Sequence, residues 1–278
     1  MTGSHAESDR DLAEQEVDRR AESLAPADST ALELAGVTRR FSGLTAVSEC
    51  SLRVAPGARH GIIGPNGAGK TTLFNVISGE LAATAGTITL FGRDITRMSP
   101  PRRVAHGLGR TYQITRTFTH LTVRENLTLA VHGLRRSKFS MLRPWSSYRE
   151  RAAEVEELAG RIGLADNLDT QASQLSHGEV RQLEVSLALA LKPRLLLLDE
   201  PGAGLSPGER VGIRRLLQGL PSDLTLVMIE HDMDLVRDVV NRITVLHFGE
   251  VVAEGSSDEI QRDATVRAIY LGSRQAEA

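Results

Sequence analysis

The stretch GPNGAGKTT, from Gly64 to Thr72, packs three glycines, one lysine and two threonines into nine residues. It fits G-x-x-x-x-G-K-[ST], a pattern whose chemistry is phosphate binding. Glycines let the backbone bend tightly and turn its N–H groups inward toward phosphate oxygens. Lys70 supplies a mobile positive charge for the β and γ phosphates, and the Thr71 hydroxyl suits a Mg²⁺ ion. A helix beginning in TTLFNVISG would add its positive N-terminal end to the same anion. The apolar HGIIG before the loop reads as the strand that such a loop follows. Gly64, Pro65, Asn66, Gly67, Ala68, Gly69, Lys70, Thr71 and Thr72 are therefore expected to line a nucleoside triphosphate site.

A second candidate is LLLLDE, Leu195–Glu200, where four apolar residues precede two carboxylates. At the carboxyl end of a buried strand, Asp199 would hold Mg²⁺ through water and Glu200 would polarise an attacking water. Taken alone, the same string also fits a strand ending in a solvated acidic turn, and the upstream loop favours the first reading. His231 follows the apolar LTLVMI and Glu230, at the end of a strand where doubly wound sheets place their ligands. Its neighbour Asp232 also suits a simple helix cap. His60, His106, His120, His132 and His247 have no close partner at metal-ligand spacing, so a zinc site is not expected.

These residues need elements to position them. ALELAGVTRRF and SECSLRVAPGARHGIIG read as strands joined by turns, with APGA as one turn, and GTITLFGRDI as another strand and turn. LLLLDE and LTLVMIE are continuous apolar runs, as expected of parallel strands covered on both faces. Between about Gln113 and Leu175 the character is helical. YRERAAEVEELAGRIGL carries Ala152, Val155, Leu158, Ala159 and Ile162 near helical spacing and stops at Gly163. The organisation is an α/β core with a helical segment inserted. Residues 1–30 read as a polar, disordered tail, with a short helix near Leu12–Arg20.

The chain has 278 residues, 41% hydrophobic and 24% charged, which is globular composition with room for one large domain or two small ones. Its formal charge of -2 gives no bulk reason to expect a nucleic-acid partner. The single cysteine, Cys50, cannot form a disulfide within the chain. No stretch reaches the roughly 20 apolar residues needed to span a bilayer, and the first residues lack a signal-peptide core. A soluble protein is expected, with any membrane role exercised through a partner.

LSHGE, Leu175–Glu179, decides among nucleotide-binding families. It resembles the L-S-G-G-Q signature of ABC ATPases, and the other family marks stand in order around it. Phe41 stands before the loop where an aromatic residue stacks on adenine, and Val47 falls among the nucleotide contacts. Gln113 in GRTYQ falls at the Q-loop, PGAGLSP at the D-loop, and His231 at the switch histidine. The resemblance covers residues 31–272, leaving 273–278 as a C-terminal tail, with the helical subdomain at about 114–177. It implies a P-loop NTPase ABC ATPase cassette with a RecA-like core, an antiparallel β subdomain and an inserted helical subdomain. It also implies ATP and Mg²⁺ as cofactors, Gln113 among the metal contacts, and Glu200, His231 and Gln113 as catalytic groups.

The same resemblance implies a head-to-tail dimer with a second ABC ATPase chain, each ATP meeting Ser176 and Gly178 of the neighbour. His177 and Glu179 depart from the signature, and Ser206 replaces a common D-loop aspartate. The wording of GLGRTYQITRTFTHLTVRENL and AEGSSDEI is similar to ATPase subunits of branched-chain amino acid importers. That branch implies two membrane permeases, a periplasmic solute-binding protein, and a place on the inner face of the cell membrane. Urea, amide and aromatic-acid importers share much of this wording, and a lipid or lipopolysaccharide exporter is the nearest rival. A soluble ribosome-acting ATPase normally carries two cassettes, and a DNA-repair ATPase needs a long coiled coil for which the sequence leaves no room.

Overall fold

The computed structural model describes residues 30–111, 117–133 and 149–276. The expected tail, its short helix and Gln113 lie outside the described residues. Among the described residues, ten strands fall into two sheets. β1 (Leu32–Phe41), β2 (Leu44–Val54), β4 (Ala85–Leu90) and β5 (Arg93–Asp94) form an antiparallel sheet in the order β2-β1-β4-β5. β3 (Arg59–Ile63), β6 (Leu108–Arg110), β7 (Leu195–Asp199), β8 (Thr225–Ile229), β9 (Arg242–His247) and β10 (Glu250–Gly255) form the second, in the order β10-β9-β3-β8-β7-β6. All pairings in the second sheet are parallel except the β9–β10 hairpin. The APGA turn joins β2 to β3 through a bond from Ala58 N to Ala55 O.

β7 and β8 are buried at every position, and their side chains alternate between two cores. Leu195, Leu197, Val227 and Ile229 pack with the antiparallel sheet and with Leu73, Phe74 and Ile77 of α1 (Lys70–Ser78). Leu196, Leu198, Leu226 and Met228 face a second core. That core is built with α5 (His177–Leu189), α6 (Pro207–Gln218) and α7 (Met233–Val239). Burial on both faces explains why these strands are continuous apolar runs; each buried leucine contributes about 1.5–3 kcal/mol.

Among the described residues, the inserted helices are α3 (Val123–Gly133) and α4 (Arg149–Arg161), between α2 (Pro100–Ala105) and α5. Val155, Ala159 and Ile162 are buried against the second core, and the turn at Gly163, with φ of 75°, closes α4. Arg124 of α3 binds Asp169 at 2.9 Å, fastening the segment to the stretch before α5. α8 (Ser257–Arg262) and α9 (Ala264–Ala276) are the last described elements, and α9 carries helix past residue 272, where a tail is expected from the sequence.

α1 is anchored from behind. The fully buried Arg103 of α2 donates to Val76 O and Ile77 O at 2.7 and 2.6 Å, and to Met98 O and Thr96 O. The last carbonyls of α1 thus find a cation at the negative end of the helix.

Candidate functional site

The loop from Gly64 to Gly69 connects β3 to α1. Two of its glycines are required by close backbone approaches. A Cβ on Gly64 would stand 2.2 Å from the Leu246 carbonyl oxygen, and one on Gly69 2.2 Å from that of Ala46. Gly69 also holds φ at 97°, in the left-handed region that disfavours side chains. It caps α1 with no side-chain bond, and the first turn of α1 carries no acidic residue. Lys70 lies nearly buried, its ammonium donating to Gly64 O at 2.8 Å and Pro65 O at 2.9 Å. Burial holds the Lys70 pKa below its usual value, and the nearby carboxylates of Glu200 and Asp199 only partly offset that shift.

Asp199 ends β7 and is 1% exposed. Its Oδ2 meets Arg110 Nη2 at 3.5 Å, while the buried Oδ1 has no hydrogen-bond partner. Burial raises the Asp199 pKa, with Arg110 opposing. An unpartnered buried carboxylate oxygen fits a cation delivered with a nucleotide. No group of three or more His, Cys, Asp or Glu able to hold a metal unaided exists among the described residues. Glu200 holds φ at 49°, a strained conformation for a residue with a side chain, of order 1–3 kcal/mol. Its Oε1 lies 2.6 Å from His231 Nε2. Asp232 caps α7, its Oδ1 accepting from Asp234 N and Leu235 N.

Asn66 to Thr72, Leu44 to Ala46, Glu200, His231 and Phe248 enclose a cleft of about 680 Å³. The phosphate loop, the acidic strand end and the histidine thus come together from three distant parts of the chain. Phe41 is half-exposed at the end of β1, with the Arg39 guanidinium 4.4 Å above its ring, and does not line this cleft. Val47 points into the core, fully buried behind the cleft wall, and its neighbour Ala46 faces the cleft instead. The reason is a bulge: Glu49 takes φ of 44°, and pairing shifts between Val37 and Arg39. Ser176 and Gly178 open α5 outside the cleft.

The structure also assembles residues that sequence reasoning did not single out. Arg181 of α5 donates to Glu200 O at 2.7 Å and Pro201 O at 3.3 Å, and pairs with Glu184 at 2.6 Å. Glu230 accepts from Gly202 N at 2.6 Å and His231 N at 2.8 Å, tying the segment after Glu200 to the histidine. Arg110 joins Asp199 to Ser78 of α1. Phe248, in the β9–β10 turn, is 78% exposed at the cleft mouth. The signal that could have found it is an aromatic set in a turn, just before Gly249 in HFGE, where packing does not call for one.

Residues 47–203 match the family model described as ABC transporter, and residues 250–276 match that of the branched-chain amino acid ATP-binding cassette transporter. The chain belongs to the ABC transporter ATP-binding family.

This ABC ATPase is 38% identical to the high-affinity branched-chain amino acid transport ATP-binding protein LivG of Escherichia coli K12. That match runs over 248 residues, covering 87% of this chain and 97% of LivG. It is 36% identical to BraF of Pseudomonas aeruginosa, described by the same words, over the same shares of both chains. Among solved structures it resembles a nucleotide-free ATP-binding cassette from an ABC transporter, with TM-score 0.76, 29% identity and 87% and 98% of the two chains covered. The mixed architecture of parallel core, antiparallel sheet and inserted helices is that of the ABC cassette, and the enzyme hydrolyses ATP. No helix among the described residues is long and apolar enough to cross a membrane.

Proposed function

We propose that this ABC ATPase powers the uptake of branched-chain or other hydrophobic amino acids through separate membrane permeases. The observation that carries the reading is the match of residues 250–276 to the branched-chain cassette model, a segment outside the general ATPase match. The relatives named as branched-chain amino acid transport proteins, aligned over nearly their full length, support it. The working assembly is two ABC ATPase chains, two permeases and an external solute-binding protein, with this chain on the inner face of the membrane.

In the proposed cycle the loop N–H groups and Lys70 hold the phosphates of ATP. The Lys70 ammonium exchanges the carbonyls of Gly64 and Pro65 for phosphate oxygens. Thr71 Oγ1 and, from the Q-loop, Gln113 would hold Mg²⁺, with Asp199 Oδ1 holding it through water, and the unpartnered Oδ1 supports that assignment. The ion, when bound, neutralises charge on the β and γ phosphates. Glu200 orients and polarises the attacking water, and His231 fixes its Oε1 from 2.6 Å. The strongly exposed Phe248 at the cleft mouth supplies a stacking surface for adenine, and Phe41, exposed outside the cleft lining but paired with Leu44 of its wall, is the other aromatic that adenine could reach. Ser176 and Gly178 lie outside their own chain's cleft, which supports a site completed by a neighbouring subunit.

Two measurements test the reading. Glu200→Gln should keep ATP binding and lower turnover about 100-fold or more, and normal turnover refutes the assigned base. In cells, deleting the chain should abolish high-affinity uptake of labelled leucine, isoleucine and valine. Unchanged uptake of all three refutes the solute class and leaves the ATPase assignment intact.

A further inference from the structure

The first turn of a helix has N–H groups that need partners from outside the helix. In α5 one hydroxyl and two carboxylates supply them. Ser176 Oγ accepts from Glu179 N at 3.3 Å, and Glu179 Oε2 accepts from Ser176 N at 2.8 Å, a capping box. Gly178 N, however, donates out of its helix to Oε1 of Glu209, 31 residues on, at 2.8 Å. The other oxygen of Glu209 accepts from Ser206 N at 2.9 Å and from Ser206 Oγ at 2.7 Å. One carboxylate therefore joins the positive ends of α5 and α6.

Space at this contact is limited. A Cβ on Gly178 would stand 2.9 Å from Glu209 Cγ and 3.0 Å from its Cβ, so glycine is what lets the carboxylate reach the helix. The bonds from the Ser206 hydroxyl, the Ser206 N–H and Gly178 N–H hold the Glu209 carboxyl charged, its pKa pushed down to about 2. A permanent anion thus occupies the backbone N–H of the signature glycine.

We infer that Glu209 is an internal stand-in for phosphate on α5, which the γ-phosphate of a neighbouring copy's ATP must displace when the dimer closes. This rests on the proposed reading that Ser176 and Gly178 meet the neighbour's nucleotide. One N–H cannot donate fully to two anions, and a carboxylate left beside the phosphate repels it. Displacement swings the Glu209 carboxylate away from Gly178, while the Ser206 hydroxyl still accepts from Glu209 N at 3.4 Å, so α6 keeps a cap. After hydrolysis Oε1 returns to Gly178 and favours separation. Glu209 thereby sets the ATP concentration at which two copies associate.

The test uses the full chain carrying Glu200→Gln, so that ATP is not consumed, with dimer formation followed by sedimentation during a MgATP titration. Adding Glu209→Gln keeps the side chain's shape and removes its charge. The expected result is half-maximal association at about fivefold lower ATP. An unchanged or higher requirement overturns the inference; a residue that merely props the signature loop would raise it. Ser176→Ala, added separately, should raise the requirement. If Ser176→Ala raises it and Glu209→Gln does not lower it, the inference alone falls. If Ser176→Ala has no effect, or no background associates with ATP, the shared-site reading fails and the inference with it.

Discussion

α1 begins at Lys70 behind a left-handed glycine, with no side-chain cap and no acid in its first turn. α5 begins at His177 behind Ser176, with a capping box, Glu179 in its first turn and Glu209 reaching in from α6. Both are positive helix ends that a phosphate suits. The difference is that α1 leaves its end to a ligand and brings a lysine to it, whereas α5 carries its own anions. The end of α1 thus depends on an outside partner for its N–H groups, whereas that of α5 is satisfied within the chain.

The comparison can be broken from either side. The largest expected effect is at α1, where Lys70→Ala should weaken ATP binding about 100-fold, measured by titration calorimetry. Unchanged affinity removes lysine from the contrast. A sharper test makes α1 resemble α5. Thr72→Glu places a carboxylate where α5 has Glu179, and should weaken ATP binding about tenfold without lowering thermal stability, since an acid near a helix start is itself stabilising. Preserved affinity would mean that self-supplied anions do not compete with phosphate. The smallest effect is at α5: Ser176→Ala removes the cap and should destabilise the nucleotide-free chain by about 1 kcal/mol in denaturant unfolding. No change there would show that Glu179 and Glu209 alone satisfy the helix end.

Much of the parallel core was legible because burial on both faces leaves a local record. Leu195–Leu198 and Thr225–Ile229 needed only neighbouring residues to be recognised as strands. The phosphate loop was legible for the same reason, since its bend and helix start lie within nine residues. The antiparallel sheet was less so. The bulge at Glu49 changes which side chains face inward, so alternation read along β2 does not reveal that Val47 is buried. The supporting contacts left no local trace at all: Arg110 reaches Asp199 across 89 positions and Glu230 reaches Gly202 across 28.

The sequence by itself determined the chemistry available: a lysine on a glycine loop, two carboxylates after a buried strand, a histidine after another, and a signature with one glycine kept. Those choices are short-range, because backbone reach and strand burial are decided within a few residues. Only the tertiary structure decided how the pieces are held. It brought Glu200 to His231, left Asp199 Oδ1 unpartnered, put Phe248 at the cleft mouth, and seated Glu209 on Gly178. Each of these is set by packing between elements far apart in the chain, where a single hydrogen bond needs two helices or strands already placed.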